Sequence, residues 1–513
     1  MSDQTKLQYN LSRRQLLGYG AALGFAGAAG ISPALAQQTP QVGGTLKVAA
    51  PGSATGSLDP HVTQGYIADA VRFTNLFDGL SEYRPDSTIQ LVLAESFTPN
   101  SDATEWTVRI KKGVRTHSGA EFVADDVIYS VKRILDPAAP TKGSGLVKFI
   151  DPAGISKVDD HTVLFKLGKP YGSFDSIWAN RYLRMVVRDF DPKNPVGTGP
   201  FKFVSFTPGQ ESMFEAFGDY FRGRAHADKL AIFNINDSTA AINALRGGQV
   251  DISYSMPFAE ARTIKDDAPI KFVNNPSPTY LPIYMRTDIE PFNDVRVRQA
   301  MRLIANRKQM VNVALAGFGS VGNDMVGRTI APCGESTLPQ REQDIDEAKR
   351  LLSEAGKSNF TIDLVTTNGT AGQVECAQVF AEQARKAGVT INVKVVDMAA
   401  YVGGFLNWTF AIDFLTDLYL PMATRGLLPK TPFNVSHWDD PEFIKLHGQA
   451  MATSSETERC EIIDKMRTIE YERGGSIIWG FSNTLNGYRS NVHGLVPYSV
   501  DSPLYHLKDV SLS

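Results

Sequence analysis

Residues 104–137 read TEWTVRIKKGVRTHSGAEFVADDVIYSVKRILDP. The first seven alternate, placing Trp106, Val108 and Ile110 on one face, the period of a half-buried strand. From Asp125 the period becomes helical, with Asp125 as N-cap and Val127, Val131, Ile134 and Leu135 in one apolar stripe. Asp136-Pro137 stops the helix, because proline lacks the donor and its ring clashes with the preceding turn. In between, Lys111, Lys112 and Arg115 flank Gly113, and His117 sits in a turn-like Thr-His-Ser-Gly. This cationic cluster is expected to be a solvated turn rather than an anion site.

The same grammar continues along the chain. GGTLKVAA (43–50) and HTVLFKL (161–167) alternate as strands. DSTAAINALRGG (237–248) reads as a helix capped at Asp237 or Ser238 and ended by Gly247, before the strand-like VDISYS (250–255). DIDEAKRLLSEAG (344–356) carries a capping box, Asp344 with Glu347, and a terminal Gly356. VFAEQARKAGVTINVKVV (379–396) and residues 455–481 repeat the order helix, glycine stop, strand. Such units in both halves imply α/β lobes rather than a barrel. NNPSPTY (274–280) looks like a loop and is the best candidate boundary.

Composition narrows the function. The 513 residues carry a net charge of −3; the first 36 hold three basic residues and one acidic, leaving −5 for the remainder. That balance lacks the positive field of a nucleic-acid binder. Three cysteines, Cys333, Cys376 and Cys460, are too few for a disulfide framework. Buried free thiols are expected, with a single bridge as the alternative. At the N-terminus, Arg13-Arg14 precedes a Gly/Ala-rich apolar span from Leu16 to Ile31 and then Ala34-Leu35-Ala36. Paired arginines, an apolar span shorter than the ~20 residues of a membrane crossing, and a small-x-small site read as a twin-arginine-like signal peptide cleaved after Ala36. A periplasmic location is expected.

Catalytic signatures are missing from the sequence. The eight histidines form no HExxH pair, and neither a G-x-S-x-G elbow nor a Walker loop occurs. GFGSVG (317–322) fits G-x-G-x-x-G by letter, but it follows the helical run 294–317, whereas a dinucleotide loop must follow a strand. It is read as a helix C-terminus with a flexible loop, and the basic residues Arg298, Arg302 and Lys308 as a solvated helix face. No enzyme activity, cofactor or metal is expected.

Several segments in order resemble the solute-binding proteins of family 5, the dipeptide and oligopeptide receptors of bacterial ABC importers. They are GGTLKVA, LDP (58–60), LFDGL (76–80), LAESF (93–97), the block 106–134, GTGPFKF (197–203), ALRGGQVDI (244–252), PFNDVRVRQAM (291–301) and DEAKRLLSEAG (346–356). The resemblance covers nearly all of residues 43–495. It implies a two-lobed periplasmic-binding-protein-like α/β fold with mixed sheets and a hinge. The larger lobe would comprise 37–274, with an inserted subdomain at about 81–190, and regain residues 491–513; the second lobe would span 275–490.

The resemblance also implies a site. In peptide-binding relatives a Gly-Trp-x-x-Asp-like segment supplies an aspartate to the peptide ammonium. DFLTDLYLP (413–421) is similar and puts Asp417 there, although Phe414 replaces the tryptophan and Leu418-Tyr419-Leu420 replaces polar residues. Dipeptide receptors add an arginine for the ligand carboxylate; the corresponding loop VTTNGTAGQ (365–373) has none, leaving Thr367 and Asn368 as hydrogen-bonding groups. Tyr280, Tyr401 and Tyr419 could line the cleft. The function implied is a monomeric receptor delivering a small molecule or short peptide to ABC permease subunits in the inner membrane. The alternatives are an opine, amine or glycoside as ligand, or an exported hydrolase or oxidoreductase.

Overall fold

The computed structural model describes residues 41–62, 65–265, 268–328 and 333–513. The export segment expected over 1–36 lies outside the described residues. Three sheets carry the architecture. The largest runs in the order Leu415–Thr416, Ile270–Tyr280, Gly480–Arg489, Ile252–Ser253, Thr45–Ala50, Lys229–Asn234, Glu211–Ala216 and Phe201–Thr207, with Gly319–Val321 also paired to Gly480–Arg489. Thr45–Ala50 is parallel to both neighbours, and the flanking pairs are antiparallel. Its alternation sends Leu46, Val48 and Ala50 into one core and Ala49 into another, so both faces of this central strand are covered.

The stretch 104–137 forms part of a four-stranded antiparallel sheet ordered Ala94–Pro99, Glu105–Ile110, Thr162–Leu167 and Ile150–Asp159. Trp106, Val108 and Ile110 pack against Val127, Val131 and Ile134 of the helix Ala124–Ile134. The helix cap falls two residues earlier than the sequence suggests, at Val123. Asp126 therefore reaches back to accept from the Val123 N–H at 2.9 Å, and Asp125 instead pairs with Lys157 at 2.9 Å. Lys112 and Arg115 are exposed, as a solvated turn requires. His117 does a structural job: the Gly197 N–H donates to its Nδ1 (3.1 Å), so Nε2 carries the proton and donates to the Gly199 carbonyl (3.0 Å). Burial lowers its pKa to about 4, keeping the ring neutral.

The second lobe is built on a five-stranded sheet ordered Val389–Val396, Phe360–Thr367, Phe410–Ile412, Ile283–Met285 and Ser476–Ile477. Ile283, Met285, Leu364, Phe410 and Ile412 face a core closed by the helices Val295–Ile304, Arg307–Ala314 and Gln373–Arg385. The expected caps form: Asp237 accepts from the Ala240 N–H, and Asp344 from the Glu347 N–H at 2.9 Å.

Four expectations need correction. NNPSPTY is not a loop but the end of the strand Ile270–Tyr280; its register shifts between Asn275 and Thr279, so Pro276 and Pro278 fall where the ladder needs no amide donor. GFGSVG enters the strand Gly319–Val321 rather than a free loop, and its glycines serve close approach. A Cβ on Gly319 would lie 2.6 Å from the Phe481 carbonyl, and one on Gly322 2.4 Å from that of Ile478. Arg298 and Arg302 are buried, not solvated. Arg298 donates to the carbonyls of Phe292, Arg473 and Gly474, and Arg302 to those of Tyr471 and Ser476, so both guanidiniums knit the last strands to the lobe core. Lys308 does stand in solvent. Finally, Cys333 and Cys460 are bridged, and Cys376 alone is a buried free thiol.

That bridge spans 127 residues of sequence. By loop-closure entropy it should contribute about 2–5 kcal/mol. Denaturant unfolding should therefore show Cys460→Ser weakened by about that amount, with added reductant changing wild type but not the variant. Equal stability of the two proteins without reductant would show that the bridge contributes nothing.

Candidate functional site

Two chain segments pass between the largest sheet and the second-lobe sheet. One leads from Ile270–Tyr280 through Leu281-Pro282 into Ile283–Met285; the other returns from Ser476–Ile477 into Gly480–Arg489. The polar cluster of the second lobe sits beside these crossings. Tyr284 pairs with Ala411, and Ala411 with Val365, so all three share the sheet face opposite the lobe core. Two residues further along their strands, Asp413 and Thr367 point the same way. Tyr401, from the helix Met398–Gly403, packs over Val365 and Ala411. Tyr280 lies opposite Leu415 and Phe481 in the ladder, its ring 5.6 Å from that of Phe481.

This face is short of partners. The hydroxyls of Tyr280, Tyr284, Tyr401 and Thr367 are buried with no hydrogen-bond partner. Buried polar groups are usually satisfied, so several orphans on one face call for a partner from outside the chain. Burial first, and then nearby carboxylates, raises all three tyrosines. Tyr284 and Tyr401 both lie in the field of Asp413, and Tyr280 in those of Glu470, Asp417 and Asp413.

The two aspartates differ. Asp417 is ion-paired to Arg425, Nε to Oδ2 at 2.8 Å, and its Oδ1 accepts from the Leu418 N–H at 2.9 Å. Burial raises its pKa while Arg425 pulls it down. Asp413 is only 4% exposed and makes no ion pair among the described residues. Its Oδ1 accepts from the Phe414 N–H at 2.7 Å, and burial lifts its carboxyl to about 6. Arg425 lies over the Phe433 ring and Arg328 over Phe481. Tyr83, on the strand Ser81–Tyr83, feels Asp501 and Asp417 after its own burial.

Of the residues read from sequence, Asp417, Tyr280, Tyr401 and Thr367 belong to this neighbourhood. Asn368 stands exposed just past the strand Phe360–Thr367. Tyr419 is turned elsewhere: it is raised by burial and by Glu470, and Arg467 stacks on its ring. The loop 365–373 has no arginine, and the guanidiniums near Asp417 come from other elements: Arg425 pairs with it, and the backbone of Arg328 bonds to its carbonyl. Asp413, Tyr284 and both arginines escaped sequence reading; a second carboxylate four residues before Asp417 was the one available signal.

Glu470 underlies the cluster. Its Oε1 accepts from the Val326 N–H at 2.8 Å, and complete burial pushes its pKa from 4.5 to about 8. The native chain thus holds this proton more tightly than the unfolded chain, so the contribution to stability falls as pH rises from about 4.5 to 8. Glu470→Gln, which keeps the acceptor, should match wild type near pH 4.5 and exceed it by about 1–3 kcal/mol at pH 8 in denaturant titrations. A gap independent of pH would place the proton elsewhere.

Comparisons with known proteins give the family and the fold. The profile of the bacterial extracellular solute-binding proteins, family 5, matches residues 88–427, and the chain belongs to that family. Oligopeptide-binding protein AppA of Bacillus subtilis is 29% identical over 409 residues, covering 72% of this chain and 73% of AppA. Heme-binding protein A of Haemophilus influenzae is 26% identical over 440 residues, covering 78% and 80%. Among solved structures, the ABC transporter substrate-binding protein CtaP of Listeria monocytogenes superposes with a TM-score of 0.80 at 20% identity, over 92% of this chain and all of CtaP. The fold is therefore the two-lobed one, and the matched family is one of substrate-binding proteins rather than enzymes.

Proposed function

We propose that this protein is the periplasmic receptor of an ABC importer, taking a small peptide or peptide-like ligand between its lobes and delivering it to inner-membrane permease subunits. The observation that carries this is the row of buried, unpartnered hydroxyls beside Asp413, Asp417 and Arg425 at the crossings. Closure over a ligand desolvates these few groups and gives them the partners they lack. The Asp417–Arg425 pair offers a carboxylate to a ligand ammonium and a guanidinium to its carboxylate, with Thr367 and Asn368 at the margin. An oligopeptide-binding relative supports the peptide class, and a heme-binding one makes haem the comparison ligand to include.

In this reading the larger lobe comprises 37–274 and 491–513, with the subdomain at about 81–190, and the second lobe 275–490. The receptor works as a monomer. Export through the N-terminal signal, with cleavage after Ala36, is supported by the Cys333–Cys460 bridge, which suits an oxidising compartment.

The test is a thermal-shift screen of protein beginning at Gln37, unfolded and refolded to remove carried ligand, against short peptides, opines, glycosides and haem. A ligand at one hundred times its Kd should add about 2.7 kcal/mol. Asp417→Ala should weaken binding of a free-amino peptide at least tenfold while leaving its N-acetylated form nearly unaffected. If no solute moves the melt, or if catalytic turnover appears, the receptor reading falls.

A further inference from the structure

Asp413 has no use in the Asp417 reading, and its surroundings are unusual for a carboxylate. It is almost wholly buried, makes no ion pair among the described residues, and faces a helix and two strands that bring it phenols, with Arg425 nearby but paired to Asp417. Of the two aspartates, only Asp417 has the guanidinium of Arg425 in ion-pair contact. One oxygen of Asp413 is occupied by the Phe414 N–H, and no hydrogen bond to the other is found among the described residues. Around it stand the hydroxyls of Tyr280, Tyr284 and Tyr401, all buried and all unpartnered.

We propose that Asp413, with the hydroxyls of Tyr280, Tyr284 and Tyr401, forms a subsite for a primary ammonium group, separate from the Asp417–Arg425 pair. The chemistry selects that group. An ammonium brings three N–H donors on one point charge, and the subsite offers one free carboxylate oxygen and phenol oxygens that can accept from it. A guanidinium is planar and rigid, so its donors cannot turn toward hydroxyls arriving from a helix and two strands as the three donors of an ammonium can. A quaternary ammonium has no N–H and would leave the phenols orphaned. A neutral hydroxyl would leave the buried carboxylate uncompensated. The inference rests on the interlobe site being the ligand site, and it narrows the ligand to one that carries an amine beyond whatever Asp417 engages, such as a lysine or diamine side chain.

The test needs no knowledge of the natural ligand. Thermal melts of the refolded protein are compared in n-propylammonium, tetramethylammonium and sodium chlorides at equal concentration, and in 1-propanol, each at pH 7.5 and pH 5.0. Propylammonium alone should raise the melting temperature, by roughly 2 °C at tens of millimolar. Facing Asp413 are Arg425, which is paired to Asp417, and the three tyrosines, which their raised pKa values keep neutral at both pH values. With its carboxyl near 6, Asp413 itself is mostly protonated at pH 5.0, so apparent amine affinity should drop about tenfold. Asp413→Asn should abolish the shift at both pH values, Tyr284→Phe with Tyr401→Phe should reduce it, and the surface control Asp346→Asn should keep it. The proposal is overturned if wild type responds equally to tetramethylammonium, does not respond to propylammonium, or if Asp413→Asn retains the response. These results are independent of the solute screen: a peptide that binds without any amine effect sinks the subsite alone, and an amine effect with no solute bound sinks the receptor reading alone.

Discussion

The antiparallel pair Ile270–Tyr280 and Gly480–Arg489 is the constraint on which the rest of the molecule depends. Both strands are interior strands near one edge of the largest sheet, and both connect, within three residues, to adjacent strands of the second-lobe sheet. The second lobe therefore hangs on two neighbouring crossings that must stay in register. At one crossing a buried carboxylate fixes that register. Asp324 accepts from the Ile478 N–H and from the guanidiniums of Arg307 and Arg341, 2.6–3.1 Å away. Burial alone would raise the Asp324 carboxyl, but these cations together with Arg302 outweigh it and hold it below the usual range. Such an ion cluster adds little net stability over apolar packing, yet removing one member would strand the others in a dry interior.

The position of the ligand-facing cluster follows from this arrangement. Tyr280 and Tyr284 bracket Leu281-Pro282, so the segment that ties the lobes together also presents two of the orphaned hydroxyls. The loop carrying Arg328 is held on the same scaffold: its backbone pairs with Asp417 and Tyr419 on one side, and Cys333 anchors the region to the helix Glu456–Arg473 through Cys460. Any movement of the crossings displaces these hydroxyls relative to the larger lobe, where Tyr83 and Asp501 wait. In the proposed receptor the crossings and the ligand site share residues, which would couple ligand contact to closure without a separate relay.

How much of this was legible in the sequence depended on whether the cause was local. Trp106, Val108 and Ile110 in one strand face, the caps at Asp237 and Asp344, and the glycine stops were readable because period and capping act within a few residues. Arg298 and Arg302 were misread because a helix face looks solvated until one knows that strand ends arrive to offer it carbonyls. NNPSPTY was misread because its prolines forbid an ordinary ladder but not a shifted one. The Cys333–Cys460 bridge joins residues too far apart for spacing to reveal. Asp417 emerged only through family resemblance, and Asp413 did not emerge at all, since its isolation is a property of surroundings assembled from four distant segments.

The contrast between these two aspartates bears on how the site can work in the absence of ligand. Asp417 has its charge met by Arg425, so a ligand that engages it must compete with, or share, an existing pair; the gain is specificity more than affinity. Asp413 and the three phenols have nothing to give up. Burial raises the pKa values of all four groups by leaving their charged forms dry and unmatched, the imbalance that the proposed ammonium would relieve. A receptor that closes only around the right solute requires such an imbalance: a cluster satisfied in the empty protein would favour closure with or without cargo.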